Sequence, residues 1–137
     1  DKDELVVAAI ESVWQDILEK SAPDSGVRFS QYVTQTYAHI IEKLKDYPDF
    51  LAAHSISVAG SVKGKARGMM ERCFGKIRSE LHEVLLNDKN VDRSVFSDIF
   101  CEENLIEHVL DNIIILIIKG KPDCATLTEI LDRLLYR

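Results

Sequence analysis

At 137 residues, 46% hydrophobic and 29% charged, the chain is long enough for one domain with a real core and too short for two comfortable ones. Its net charge of −6 disfavours polyanion binding by the chain as a whole. The longest apolar run, Ile113 to Ile118, falls far short of the roughly 20 residues that a membrane span needs, so no membrane partner is expected.

The first helix is predicted over residues 2–20, where Leu5, Val6, Ile10, Val13, Trp14, Ile17 and Leu18 recur at spacings of three and four. It starts with no leader or preceding fold, as a cut through a longer protein would. The breaker cluster from Ser21 to Gly26 ends it, with Asp24 or Ser25 as cap for the second helix. That helix carries Phe29, Tyr32, Val33, Thr36, Tyr37, Ile40, Ile41 and Leu44 on one broad face and ends near Asp46. Pro48 then suits the first turn of a short helix reaching about His54.

After a loop from Ser55 to Gly64, a long helix is predicted with the stripe Ala66, Met69, Met70, Cys73, Phe74, Ile77, Leu81, Val84 and Leu85, closed by Asn87 to Asn90. Gly68 and Gly75 inside it mark either close approach by a neighbour, room for a bound molecule, or tolerated exposed positions. Lys63, Lys65, Arg67, Arg72, Lys76 and Arg78 make the one basic run. Without aromatic interleaving it reads as a solvated face with partners such as Glu80. Residues 92–100 add a helical turn or two, with Asp92 as cap.

The last third is the strongest structural signal. From Glu102 to Lys119 the helix has almost no polar face in its second half, and a helix apolar all round must be covered all round. Gly120 serves as its C-cap residue and Pro122 as a stop. The final helix places Leu127, Ile130, Leu131, Leu134 and Leu135 on one face, with Thr126 or Asp123 capping it and Arg133 and Arg137 near its negative end. The expected fold is therefore all-α, a multi-helix bundle over residues 1–137 whose two C-terminal helices pair with a second copy as a four-helix bundle. Leu105, Val109, Asn112, Ile113, Leu116, Ile117, Leu127, Ile130, Leu131 and Leu134 are the expected residues of that homodimer interface.

The segment Lys2-Asp3-Glu4-Leu5-Val6-Val7-Ala8-Ala9-Ile10 resembles the one that comes after the helix-turn-helix and opens the connecting helix in the tetracycline-repressor-like (TetR) family of bacterial transcription regulators. The order of later helices is similar too, including the one starting Tyr47-Pro48-Asp49-Phe50. The resemblance implies an effector-sensing and dimerising domain that touches DNA only through an N-terminal domain missing from this chain. A small apolar or aromatic effector would move the connecting helix and change the spacing of two DNA-reading heads, which must match half-sites about one helical turn apart.

Candidate effector residues are Trp14, Tyr32, Thr36, Tyr37, Phe50, Met69, Cys73, Phe74, His108 and Asn112, which combine aromatic or adaptable apolar surface with a few polar tips. Core packing is the alternative at each, and solvent exposure at His108 and Asn112. Cys73, Cys101 and Cys124 are too few and too scattered for a disulfide framework or a zinc site, which makes a reducing cytoplasm the expected location and leaves no metal or cofactor expected. No nucleophile elbow, phosphate loop or His-Glu-x-x-His arrangement occurs, so catalysis is not expected. The alternatives to a repressor domain are a helical protein-interaction adaptor or a carrier of hydrophobic ligands.

Overall fold

The computed structural model describes residues 2–48, 50 and 63–137. Within these the protein is all-α: α1 (Lys2–Leu18), α2 (Phe29–Leu44), α3 (Lys63–Asn87), a 3-10 turn (Arg93–Val95), α4 (Glu102–Ile118) and α5 (Ala125–Leu135), with no strand among the described residues. None of these helices is long and apolar enough to cross a membrane. The expected short helix to His54 and most of the loop after it lie outside the described residues.

The chain divides into two compact units, one of residues 1–20 and 39–77, the other of residues 21–38 and 78–137. In the first, α1 buries Val7, Ile10, Trp14, Ile17 and Leu18, while Leu5 is 72% exposed and Val6 is exposed as well. The helical angle explains Leu5, which lies five residues from Ile10 and so on the opposite side of the helix. Trp14 packs edge-on against Phe50 at 5.6 Å between ring centroids and tilted against Phe74 at 5.4 Å, both favoured aromatic arrangements. Met69, Cys73, Phe74 and Ile77 supply the α3 side of this core. At its edge Arg72 pairs with Glu11 at 2.7 Å, and the Tyr47 hydroxyl donates to Asp16.

The second unit buries Phe29, Tyr32, Val33, Thr36 and Tyr37 from α2 against Leu81, Val84 and Leu85 of α3 and the inner face of α4, which includes Ile106, Leu110, Ile113 and Ile117. Burying one such side chain stabilises by about 1.5 to 3 kcal/mol. Local end signals behave as their chemistry requires. Asp92 Oδ1 accepts from Ser94 N–H to cap the 3-10 turn, and Asp123 Oδ1 accepts from Ala125 N–H ahead of α5. Gly120, at φ +70°, ends α4: Lys121 N–H donates to Leu116 O and Gly120 N–H to Ile117 O, both at 3.0 Å, which is the paired bonding of a Schellman motif.

The start of α2 departs from the local expectation. The Phe29 N–H donates not to Asp24 or Ser25 but to Asp88 Oδ2, 59 residues away, at 2.8 Å. Asp88 also accepts from Asn90 N–H at 3.0 Å and from the Tyr136 hydroxyl at 2.6 Å. Above the Tyr136 ring, 3.6 Å from its centroid, lies the Arg28 guanidinium, a cation–π contact. One buried carboxylate thus ties the start of α2, the end of α3 and the C-terminus of the chain together. Because Asp92 N–H donates to Leu135 O at 2.8 Å, the end of α5 lies beside the segment that leads into α4, and α5 runs back along α4.

Gly68 and Gly75 do not mark a close backbone neighbour. A Cβ added at Gly75 would meet nothing within 4 Å, and one at Gly68 would meet only the far end of Arg72 at 3.4 Å.

Candidate functional site

The two helices with the strongest apolar pattern bound an open groove of about 500 Å³. Its α4 wall is built from Leu105, Val109, Asn112 and Leu116, whose spacings of three and four put them in one row along the helix. Leu127, Ile130, Leu131 and Leu134 form the facing row on α5, while Phe100 closes one end and the segment from Lys121 to Thr126 the other. Every one of these residues belongs to the second unit.

Burial grades across this surface. Leu105, Val109 and Leu131 are buried at its floor, and Leu116 and Leu127 are half-buried. Ile130 and Leu134 on the α5 rim are 48% and 45% exposed, and Ile115, one residue from the α4 row, is 51% exposed. Two expected interface residues lie elsewhere: Ile113 and Ile117 face the unit's own core, fully covered within one protomer. The isoleucine-rich stretch is therefore split, with one side packed inward and Ile115 and Ile118 left at the surface.

His108 and Asn112 stand exposed on the groove wall, and Asn112 Nδ2 donates to His108 O at 2.8 Å. The structure groups them with the expected interface rather than with the aromatic effector candidates. Cys124 lies buried where the groove closes before α5. Burial, aided by Asp123, pushes its thiol up to about 11, so it is a neutral small apolar group near pH 7.

The remaining effector candidates fall into two sets. Trp14, Phe50, Met69, Cys73 and Phe74 all belong to the first unit and are buried there. The Trp14 indole N–H has no hydrogen-bond partner among the described residues, which is uncommon for a buried donor. Cys73 faces Glu11 O at 4.0 Å, and burial raises its thiol to about 11. Tyr32, Thr36 and Tyr37 belong to the second unit. The Tyr32 hydroxyl donates to Glu80 at 2.8 Å and that of Tyr37 to Lys121 O at 2.7 Å, so both phenols have partners in the fold. Burial, then the Glu80 carboxylate, raises the Tyr32 phenol well above its usual range.

From the basic run, Arg72 pairs with Glu11 and Arg78 with Glu107, at 2.7 and 2.6 Å. Among the described residues no three His, Cys, Asp or Glu side chains gather as metal ligands. Residue reasoning missed Phe100 as a wall of the groove and Asp88 with Tyr136 as the tie at α2. Phe100 had a legible signal, an aromatic directly ahead of the first apolar position of α4. Comparison with models of known protein families, with curated proteins and with solved structures finds no match to this chain.

Proposed function

We propose that this chain is the effector-sensing and dimerising domain of a tetracycline-repressor-like transcription regulator. The observation that carries this reading is the groove between α4 and α5: two facing apolar rows on consecutive antiparallel helices, with half-exposed Ile130 and Leu134 at its rim. A monomeric protein gains nothing by exposing such a strip, whereas two copies joined along it complete a four-helix bundle. The sensing side is the Trp14, Phe50 and Phe74 cluster. There α1 places its largest side chain against two other rings, and its indole N–H has no partner among the described residues. An apolar or aromatic effector with a hydrogen-bond acceptor suits that environment. Its binding would bias α1 between two positions by its difference in affinity for them, on the order of 1 to 3 kcal/mol. A DNA-reading head ahead of α1 is part of this reading, as is a cytoplasmic location.

The test has two stages. Sedimentation velocity of the 137-residue chain should give a dimer at micromolar concentration. Thermal-shift screening against apolar and aromatic compounds should then give ligands that raise Tm, since saturation at about a hundred times Kd adds about 2.7 kcal/mol. With such a ligand, amide exchange in α1 should slow. A chain that stays monomeric, or ligands that bind and leave α1 exchange untouched, would count against the proposal. The first result favours the alternative reading, an adaptor whose groove takes a helix of another protein.

A further inference from the structure

The shortest of the described α-helices is also the one that the core holds least. α5 has 11 residues and buries only Leu131 and Leu135, whereas the 17 residues of α4 bury Leu105, Ile106, Val109, Leu110, Ile113 and Ile117. Much of what fixes α5 is polar and lies at its two ends. Where the chain enters it, the Tyr37 hydroxyl donates to Lys121 O at 2.7 Å. At its far end the last three residues form a clasp. Leu135 O accepts from Asp92 N–H at 2.8 Å, the Tyr136 hydroxyl donates to Asp88 Oδ2 at 2.6 Å beneath the Arg28 guanidinium, and Arg137 Nε lies 3.3 Å from Asp92 Oδ2. Chain ends ordinarily fray from the last residue inward. Here those residues are tied to the end of α3 and to the segment after it, so that route is closed until the clasp breaks.

We infer that α5 is a strap that opens and closes as one unit while α4 stays folded, with the contacts of Tyr136 and Arg137 to Asp88 and Asp92 as its catch. A helix of 11 residues is too short to persist alone in water, so leaving the core and losing helical structure are a single step. Two buried leucines and the end contacts oppose that step, against the six buried side chains that hold α4, so the strap opens at a lower free energy than the rest of its unit. The consequence falls on the groove. Its wall of Leu127, Ile130, Leu131 and Leu134 leaves with the strap, so the groove exists only while the catch is shut. Asp88 lines no part of that groove and yet controls it through Tyr136. The strap acts within one protomer and does not rest on the self-association proposed above.

Native-state amide exchange of the full chain in low urea reads the opening, at dilutions below any self-association. The helical amides from Thr128 to Tyr136 should share one opening level, and it should lie below that of α4. Tyr136→Phe keeps the ring and removes the hydroxyl from the catch, so it should speed all of these amides by one common factor of about five. Tyr32→Phe loses instead the bond to Glu80 between α2 and α3, and should speed α4 while leaving α5 as it was. Alkylation of Cys124, which is buried at the start of α5, gives a second reading and should accelerate in Tyr136→Phe by the same factor. Protection graded from Tyr136 back toward Ala125 would mean ordinary fraying and overturn the strap. So would α5 amides at the level of α4, because the helix would then leave only with its whole unit. A Cys124 rate unchanged in Tyr136→Phe would overturn the catch.

Discussion

α5 has two long sides that obey opposite rules. On the inner side and at its end, Leu135 is buried and Tyr136 reaches Asp88, whose carboxylate serves three donors at once. The outer side presents Leu127, Ile130 and Leu134 to an open groove. The first side is internally satisfied: a buried carboxylate is costly unless hydrogen-bonded, and here it is bonded from three directions. The second leaves apolar area in water that none of the described residues covers. Stability of the protomer should therefore reside on the inner side and association on the outer, so substitutions on the two sides should separate in their readouts.

The largest effect is expected where the outer side is charged. Ile130→Glu combined with Leu134→Glu puts four carboxylates into the proposed two-fold interface and should raise the dissociation constant of the proposed dimer a thousandfold or more, about 4 kcal/mol. The protomer's own unfolding midpoint should hold within a few degrees, since both positions are nearly half-exposed. Sedimentation equilibrium with urea unfolding of the dissociated chain checks both halves, and a variant that stays dimeric would show that the groove is not the contact. On the inner side Asp88→Ala should do the reverse. Deprived of their acceptor, Phe29 N–H, Asn90 N–H and the Tyr136 hydroxyl should cost about 2 to 3 kcal/mol of unfolding free energy.

What was legible in the residues was whatever is decided within a few positions of itself. The helices α2, α3 and α4, the Gly120 stop and the Asp92 cap depend on neighbours three to five residues away, and they stand where spacing puts them. The cap of α2 was not legible, because Asp88 reaches Phe29 across 59 residues and nothing near either marks the pairing. The same limit applies to the isoleucine run. Periodicity says that Ile113 to Ile118 surround the helix, but only the packed neighbours decide that Ile113 and Ile117 turn inward while Ile115 and Ile118 do not. His108 and Asn112 illustrate it in the site: their spacing of four puts them on one face, and the fold shows which, the groove wall.

A finer division of the inner side comes from Tyr136→Phe, which keeps the ring under Arg28 and removes only the hydroxyl that bonds Asp88 and accepts from Ser30 N–H. The expected loss is about 1 kcal/mol, with dimer affinity unchanged.

The smallest effect is the pH dependence of the same tie, and the bonds fix its sign. Burial alone would raise the Asp88 carboxyl. The hydrogen bonds from Tyr136, Phe29 and Asn90, with the Arg28 charge nearby, outweigh it and hold the group below its ordinary value of 3.8. A carboxyl depressed by folding contributes stability that is complete above the unfolded pKa, about 3.9, and is lost as pH falls through the lower folded value. Tyr136 acts at the other end. Burial, then Asp88, raises its phenol to about 12, so its contribution is complete below about 10 and lost as pH climbs toward the folded value. Unfolding free energy should therefore fall below about pH 4. Asp88→Asn should flatten that fall, because an amide has no proton to take up, and Tyr136→Phe should remove the alkaline fall that this phenol adds. Urea titrations across both limbs give the slopes. An Asp88→Asn protein with the parent's acid slope would assign that limb to other carboxylates, and the tie would then act through hydrogen bonding alone.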